Sequence, residues 1–255
     1  MPAALAAHRS TYPPLDVLKP VAQDIWIVDS GPLWLLGMPI PLRMTVIRLA
    51  NGDVLLHSPT RCTDDLRRQI EHLGRIRHLV APNPFHWRYI QGWRLHCPEA
   101  IITAARGLGA RFFVRRTGLQ IDRELGESPP LDWGGQLDQI IVPARFLLRE
   151  VAFFHRASRT LVLTDLIVNL EIGKIPTLRR PGARLLGVVA PNGRAPVYSR
   201  VLYRLNGSKA ADAARRVLAW QPERVIFSHG RWFKEEGTAA LRRSLAWLLG
   251  ASPER

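Results

Sequence analysis

The sequence predicts an α/β fold in which two β-sheets pack face to face with helices outside them. A length of 255 residues is enough to bury a layered core as one domain. Strand hairpins open each half of the chain and helices follow them, an order that a doubly wound parallel sheet would not give. Several apolar strands also end on polar side chains, which a core alone would not select.

Residues 24–29, 43–49 and 53–58 read as strands, the last two joined at Asn51-Gly52, a pair suited to a tight hairpin. Thr63 is the expected N-cap of the amphipathic stretch TDDLRRQIEHLG, which Gly74 closes, with Leu66, Ile70 and Leu73 on one face. A strand over 76–81, a polar loop with Asn83 and His86, a strand over 99–103, a helical stretch within 105–116 and a loop over 118–135 complete the first half. In the second half, strands over 137–142, 150–155 and 160–164 precede a region over 166–206 that reads as irregular because glycine and proline are frequent. A helix from Ser208 to Trp220, a strand over 224–228 and a helix over 235–249 close the chain. The first 20 residues read as an N-terminal extension to the single domain.

The net charge is +15 and the pI near 11.2. Only four of the cationic residues are lysines (19, 174, 209 and 234), and the arginines are scattered in pairs. No run of basic residues with interleaved aromatics marks a single-strand groove, so solvated helix faces are favoured over nucleic acid. Cys62 and Cys97 lie far apart without CxxC spacing, which fits a reducing compartment. No secretory signal is read, and the most apolar window, IWIVDSGPLWLLGMPIPL, is too interrupted by Asp, Gly and Pro to span a bilayer. A cytoplasmic protein without a transmembrane segment is expected. Within that window, residues 31–42 read as an apolar flap over a pocket or a membrane surface.

Four strand ends carry the candidate chemistry: His57 and Ser58, Asn83 and His86, Asp165, and Ser228 and His229. In layered α/β folds the loops at the carboxyl ends of strands are the usual binding site. Imidazoles with a carboxylate suit zinc, iron or manganese. If the hairpin EVAFFHRASRTLVLTD turns at Ala157-Ser158, His155 faces Thr160 and Glu150 falls beside Asp165. Two adjacent carboxylates resist joint ionisation unless a cation lies between them. His155 falls at the far end and is left out of the site. Each residue also has an ordinary alternative: Asn83 as a turn residue, Asp165 as a cap, Glu150 as an arginine's partner, and His57 as a packed structural histidine.

The segments RMTVIRL, HSPT, LVAPNPFHWRYI, FFHRASRTLVLTDLIVN and PERVIFSHG give the chain a resemblance to the metallo-β-lactamase superfamily. More narrowly, it resembles a family of bacterial and plant metallo-β-lactamase-like proteins of unknown function. The resemblance runs over nearly the whole chain and implies a four-layer αββα sandwich with a metal site at one edge of the sheets. The superfamily's HxHxDH motif falls on Ala81, Asn83, Phe85 and His86, so only its last histidine is retained. The bridging aspartate matches Asp165 and the terminal histidine His229. The middle histidine would fall near Phe146, and His57 stands where relatives often place an aspartate. Phe85 replaces the aspartate that orients a nucleophilic water.

These matches predict one zinc, iron or manganese ion on His86, Asp165 and His229, with Glu150, His57 or Asn83 as further ligands. Three protein ligands and an open position suffice for a Lewis-acid site. The leading expectation is a metal-dependent hydrolase in which Glu150 and Asp165 carry the catalysis, acting on a small substrate made anionic in preference by arginines at the mouth. The alternatives are a non-catalytic protein of the same fold that binds a ligand or partner, and a nucleic-acid or anionic-membrane contact through the basic surface.

Overall fold

The computed structural model describes residues 10–35, 37–146 and 148–250. The first nine residues of the expected N-terminal extension lie outside that range. Strands β1 (Lys19–Ala22), β2 (Ile25–Leu35), β3 (Met38–Arg48) and β4 (Asp53–His57) run antiparallel, and β5 (Arg75–Ala81), β6 (Ile101–Ala105) and β7 (Arg123–Leu125) continue in parallel to make a seven-stranded sheet in chain order. The second sheet holds β8 (Leu137–Pro143), β9 (Arg149–His155), β10 (Thr160–Val162) and β12 (Arg224–Ile226), in the order β12-β10-β9-β8. A two-residue parallel ladder joins β11 (Val168–Asn169) to β13 (His229–Gly230).

The period-2 alternation of strand side chains assembles the layers. Ile47, Leu55 and Val80 from the first sheet meet Val151, Phe153 and Val162 from the second in a core between the sheets. Their neighbours point outward: Val46, Val54 and Leu56 pack under Leu66 and Ile70 of α1 (Asp64–Glu71) and Ile90 and Trp93 of α2 (Ile90–His96). On the other side Ala152, Phe154 and Leu161 pack against Ala214 and Val217 of α6 (Ser208–Ala219) and Leu241 and Leu245 of α7 (Gly237–Leu249). These strands are apolar on both faces because both faces are covered. Burying Leu66 and Ile70 of α1 in full is worth about 1.5–3 kcal/mol each. The result is the αββα sandwich expected from the sequence.

Several local expectations hold. The Thr63 hydroxyl accepts from Leu66 N at 3.3 Å as the α1 N-cap. Gly74 has no room for a side chain, since a Cβ there would stand 1.9 Å from Gly52 O. His155 pairs with Thr160 in the β9–β10 ladder.

Other elements differ. Within 105–116 only Phe112–Arg115 (α3) is α-helical, after a stretch containing Gly107 and Gly109. The apolar 31–42 segment is no separate flap but the far end of the long β2–β3 hairpin. The region over 166–206 contains α4 (Arg180–Leu186) and α5 (Val197–Arg204). α4 has a proline in its first turn and is closed by Gly187 at φ 75, while Pro196 caps α5. The breakers that made this stretch read as irregular are thus its helix ends. Residues 10–18 pack back onto the hairpin side, where Asp16 N donates to Asp29 O at 2.8 Å.

Candidate metal centre

Three chain ends meet at one edge of the sandwich. β5 leads into Pro82 and Asn83, and Val151 N of β9 donates to Pro82 O at 3.0 Å, tying the two sheets at this edge. β10 stops at Val162; Leu163 N bonds Ile226 O at 2.9 Å, and the chain then turns out through Thr164 to Asp165. β12 runs through Phe227 and Ser228 to His229. There Gly230, at φ 94, lies so close to Asn169 that a Cβ would stand 2.1 Å from its carbonyl oxygen, so only glycine fits the β11–β13 ladder.

His86, Asp165 and His229 present ligand atoms that all lie within 4.8 Å of one another. His86 Nε2 stands 3.1 Å from Asp165 Oδ2, and His229 Nε2 stands 3.2 Å from Asp165 Oδ1. Two donors bound to one tetrahedral ion at ordinary zinc distances are about 3.3 Å apart. The other ring nitrogens sharpen the reading. His229 Nδ1 lies 2.8 Å from the Pro41 carbonyl oxygen, which can only accept, so Nδ1 carries the proton. A neutral His229 then turns the Nε2 lone pair toward a carboxylate oxygen, an arrangement that needs either a second proton on the ring or a cation between them. His86 Nδ1 is 2.5 Å from the Ser58 hydroxyl, and Ser58 holds a left-handed backbone at φ 54, unusual for a residue with a side chain. The donor set therefore fits a divalent ion, with its orienting partners in place.

Asn83 is the hub behind these ligands. Its Oδ1 accepts from Phe85 N at 2.8 Å and His86 N at 3.1 Å, while its Nδ2 lies 2.8 Å from both Thr164 Oγ1 and Asp165 Oδ2, and 3.2 Å from Glu150 Oε2. The side-chain oxygen is thus occupied with the loop, and the amide nitrogen, which cannot ligate a metal, faces Asp165. The turn reading of Asn83 is realised through its oxygen, while its amide supports Asp165 from behind in place of the expected ligand role.

Glu150 lies beside Asp165 as the hairpin register requires, though the ladder itself ends at Val162. It is fully buried and pairs with no arginine among the described residues. One oxygen accepts from Thr164 N; the other accepts from Thr164 Oγ1 at 2.6 Å and Asp165 N at 3.2 Å. Burial, and then the charge of Asp165, pushes its pKa up. Burial also works against ionisation of Asp165, but His86 foremost and then His229 hold that carboxyl well below the usual range. His86 is raised, the attraction of Asp165 outweighing the cost of burial.

His57 is buried and outside the cluster, its ring edge-on to Phe153 at 5.4 Å and its Nε2 without a partner among the described residues. Burial, and then the neighbouring His86, lowers its pKa to about 3. An unfolded imidazole takes its proton near 6.5, so below that pH the unfolded chain binds protons that the folded His57 refuses. The folded state therefore loses about 1.4 kcal/mol per unit of acidification from this residue, or about 2 kcal/mol by pH 5. Urea unfolding at pH 7 and pH 5 should show a smaller acid loss in His57→Leu than in the unmodified protein by about that amount; equal losses would show that His57 is protonated in the fold.

Sequence reasoning did not place Thr164 or the Pro41 carbonyl in the site. Thr164 reads as one more β-branched strand residue in LVLTD, and a backbone oxygen leaves no trace in side-chain identity. Arg43 was also missed. It lies opposite Asp29 in the β2–β3 ladder, pairs with it at 2.6 Å, and donates to Phe227 O at 3.0 Å and Gly230 O at 2.7 Å on either side of His229. Among the described residues no helix is long and apolar enough to cross a membrane.

The fold is like that of metallo-β-lactamases of solved structure, a likeness of fold at low sequence identity. A metallo-β-lactamase from Pontibacter korlensis matches with a TM-score of 0.61 at 13% identity, over 91% of this chain and 97% of that one. The metallo-β-lactamase FIM-1 from Pseudomonas aeruginosa, in its mono-zinc form, matches at 0.62 and 15% identity, over 93% and 96%. The Flv1 flavodiiron core from Synechocystis sp. PCC6803 matches at 0.61 and 12% identity, over 91% of this chain and 60% of that one. No protein-family model and no curated protein matches the sequence.

Proposed function

We propose that this chain is a single-domain, cytoplasmic metalloprotein that holds one zinc, iron or manganese ion between His86, Asp165 and His229 and hydrolyses a small anionic substrate. The observation that carries the reading is the geometry at His229: Nδ1 lies 2.8 Å from Pro41 O, and Nε2 faces the Asp165 carboxylate at 3.2 Å, so both groups address a common point. When bound there, a divalent cation supplies Lewis acidity and lowers the pKa of water.

The chain's own residues divide the remaining work. Asp165 stays ionised and supplies the negative charge. Ser58 and Pro41 O fix the two imidazole rings, and Asn83 holds the Asp165 carboxylate by its amide. Glu150, with its oxygens occupied by Thr164, Asp165 N and Asn83, positions Thr164 and Asp165; we assign it that role in place of ligand or base. His57 is assigned to packing against Phe153. Two unbridged cysteines fit a reducing compartment. The five matching sequence segments support placing the chain in the bacterial and plant family named above.

A second reading, metal binding without hydrolysis, is favoured by Phe85. At the motif position of the water-orienting aspartate stands an exposed apolar ring, so no carboxylate is supplied there.

Elemental analysis of protein purified without added metal is expected to find close to one equivalent of one of these ions, and almost none in His86→Ala or His229→Ala. Metal-free protein whose thermal midpoint is indifferent to chelator would remove both readings. Bound metal with no chelator-sensitive hydrolysis of phosphate or carboxylate esters would select the second.

A further inference from the structure

Between residues 172 and 211 the chain carries eight lysines and arginines and no aspartate or glutamate, more than half of its net +15. In the fold this stretch forms α4, α5 and the loops around them. Its inward side is a small core in which Ile175, Ala183 and Val188 join Val168 and Leu170, with Met38 and Ile40 of β3 packed against it. Its outward side is apolar too. Leu178 and Leu185 are 88% and 81% exposed, and Val197, Tyr198, Val201 and Leu205 form an exposed stripe along and just past α5 at helical spacing.

The surface extends past this segment. Arg179 lies against the hairpin turn, its Nη2 2.5 Å from where a Cβ on Gly37 would stand. The turn's exposed Trp34 and Leu35 therefore adjoin it. On the far side Arg145 N donates to Leu202 O at 3.1 Å, bringing in the exposed ring of Phe146.

The arginines lie among these tips without counter-charges. Arg200 Nη2 and Arg194 Nε come within 3.0 and 3.1 Å of one point beside Gly187. Among the described residues, no carboxylate pairs with any arginine from 179 to 204. Partial burial, and after it the nearby charges of Arg194 and Arg204, lowers the pKa of Arg200.

Protruding apolar tips with unpaired arginines in the same segment match the boundary of an anionic bilayer, where the tips enter the acyl region and guanidinium groups meet lipid phosphates. A second copy of the same face would set cations against cations. Nucleic acid could stack on Trp34, Tyr198 or Phe146 but would leave the exposed Leu178, Leu185, Val197, Val201 and Leu205 without a partner, since bases stack on aromatic rings. We propose that the acid-free face formed by residues 172–211 and the β2–β3 hairpin tip docks on an anionic lipid bilayer surface. The docking is independent of the metal reading. It leaves the protein peripheral.

The test is co-sedimentation of the full chain with vesicles of phosphatidylcholine alone and with about a third phosphatidylglycerol. Binding to the mixed vesicles is expected to be at least about tenfold tighter, to fall as salt rises, and to weaken by about tenfold in the double variant Leu178→Glu, Leu185→Glu. Both leucines are exposed, so the variant's circular dichroism and thermal midpoint should match the parent's. A second variant, Arg180→Ala with Arg184→Ala, should weaken binding without touching an apolar residue. Equal or absent binding to the two vesicle types would overturn the proposal. So would full retention of binding by the leucine variant, or displacement from vesicles by random duplex DNA that binds parent and leucine variant alike.

Discussion

Replacing Arg43 with alanine is expected to lower the unfolding free energy by about 3–5 kcal/mol, the usual cost of removing one partner from a buried ion pair. Arg43 is 3% exposed, as is Asp29, and its guanidinium lies 5.3 Å from the Tyr12 ring centroid. Its loss strands Phe227 O and Gly230 O and leaves Asp29 with Lys19 alone, at 2.8 Å. The effect should reach the site, because both carbonyls flank His229. Metal content should fall along with the urea midpoint. Arg43→Lys keeps the charge but cannot fork to two carbonyls and a carboxylate, so it should recover only part of the loss. The double variant Arg43→Met, Asp29→Leu removes both buried charges and should be more stable than Arg43→Ala. A cost below about 1 kcal/mol for Arg43→Ala would show that water replaces the guanidinium without penalty.

The second large effect is expected at Asn83. Asn83→Ala removes the acceptor of Phe85 N and His86 N and the donor between Thr164 and Asp165. Unsatisfied buried groups cost about 1–3 kcal/mol each, and some here will find water, so a loss of about 3 kcal/mol is expected in urea unfolding. Asn83→Asp should be worse than its near-identical shape suggests. It would set a third carboxylate against Glu150 and Asp165, and its thermal midpoint should rise on addition of a divalent cation more than the parent's does. If Asn83→Asp is as stable as the parent in chelator, the amide does not act as the donor described.

The sandwich was legible because its signals are local and repeated. Alternation places Leu55 and Phe153 between the sheets and their neighbours under helices, and a residue's sequence neighbours carry that information. The site was legible in part for the same reason. Hairpin arithmetic put Glu150 beside Asp165, and the strand ends at His86, Asp165 and His229 do converge. Atom-level roles were not legible. Nothing in PNPFH says which end of the Asn83 amide faces the carboxylates, nor that Glu150 would turn away from the opening to take the Thr164 N–H. Arg43 was hidden because the Gly and Pro residues of 31–42 disguised a hairpin as a flap, and without its register the Asp29 partner could not be found. The same disguise covered α4 and α5, where proline and glycine mark boundaries rather than the absence of helix.

The bond from Val151 N to Pro82 O at 3.0 Å has a mechanical consequence. Residue 82 directly precedes the asparagine hub, and residue 151 directly follows the buried glutamate behind it. If the two halves of the sandwich slide or part at that edge, Asn83 and Glu150 are carried away from each other and the cradle behind Asp165 comes apart. Strain that loosens the two sheets there is therefore passed straight to the residues where the chemistry would be.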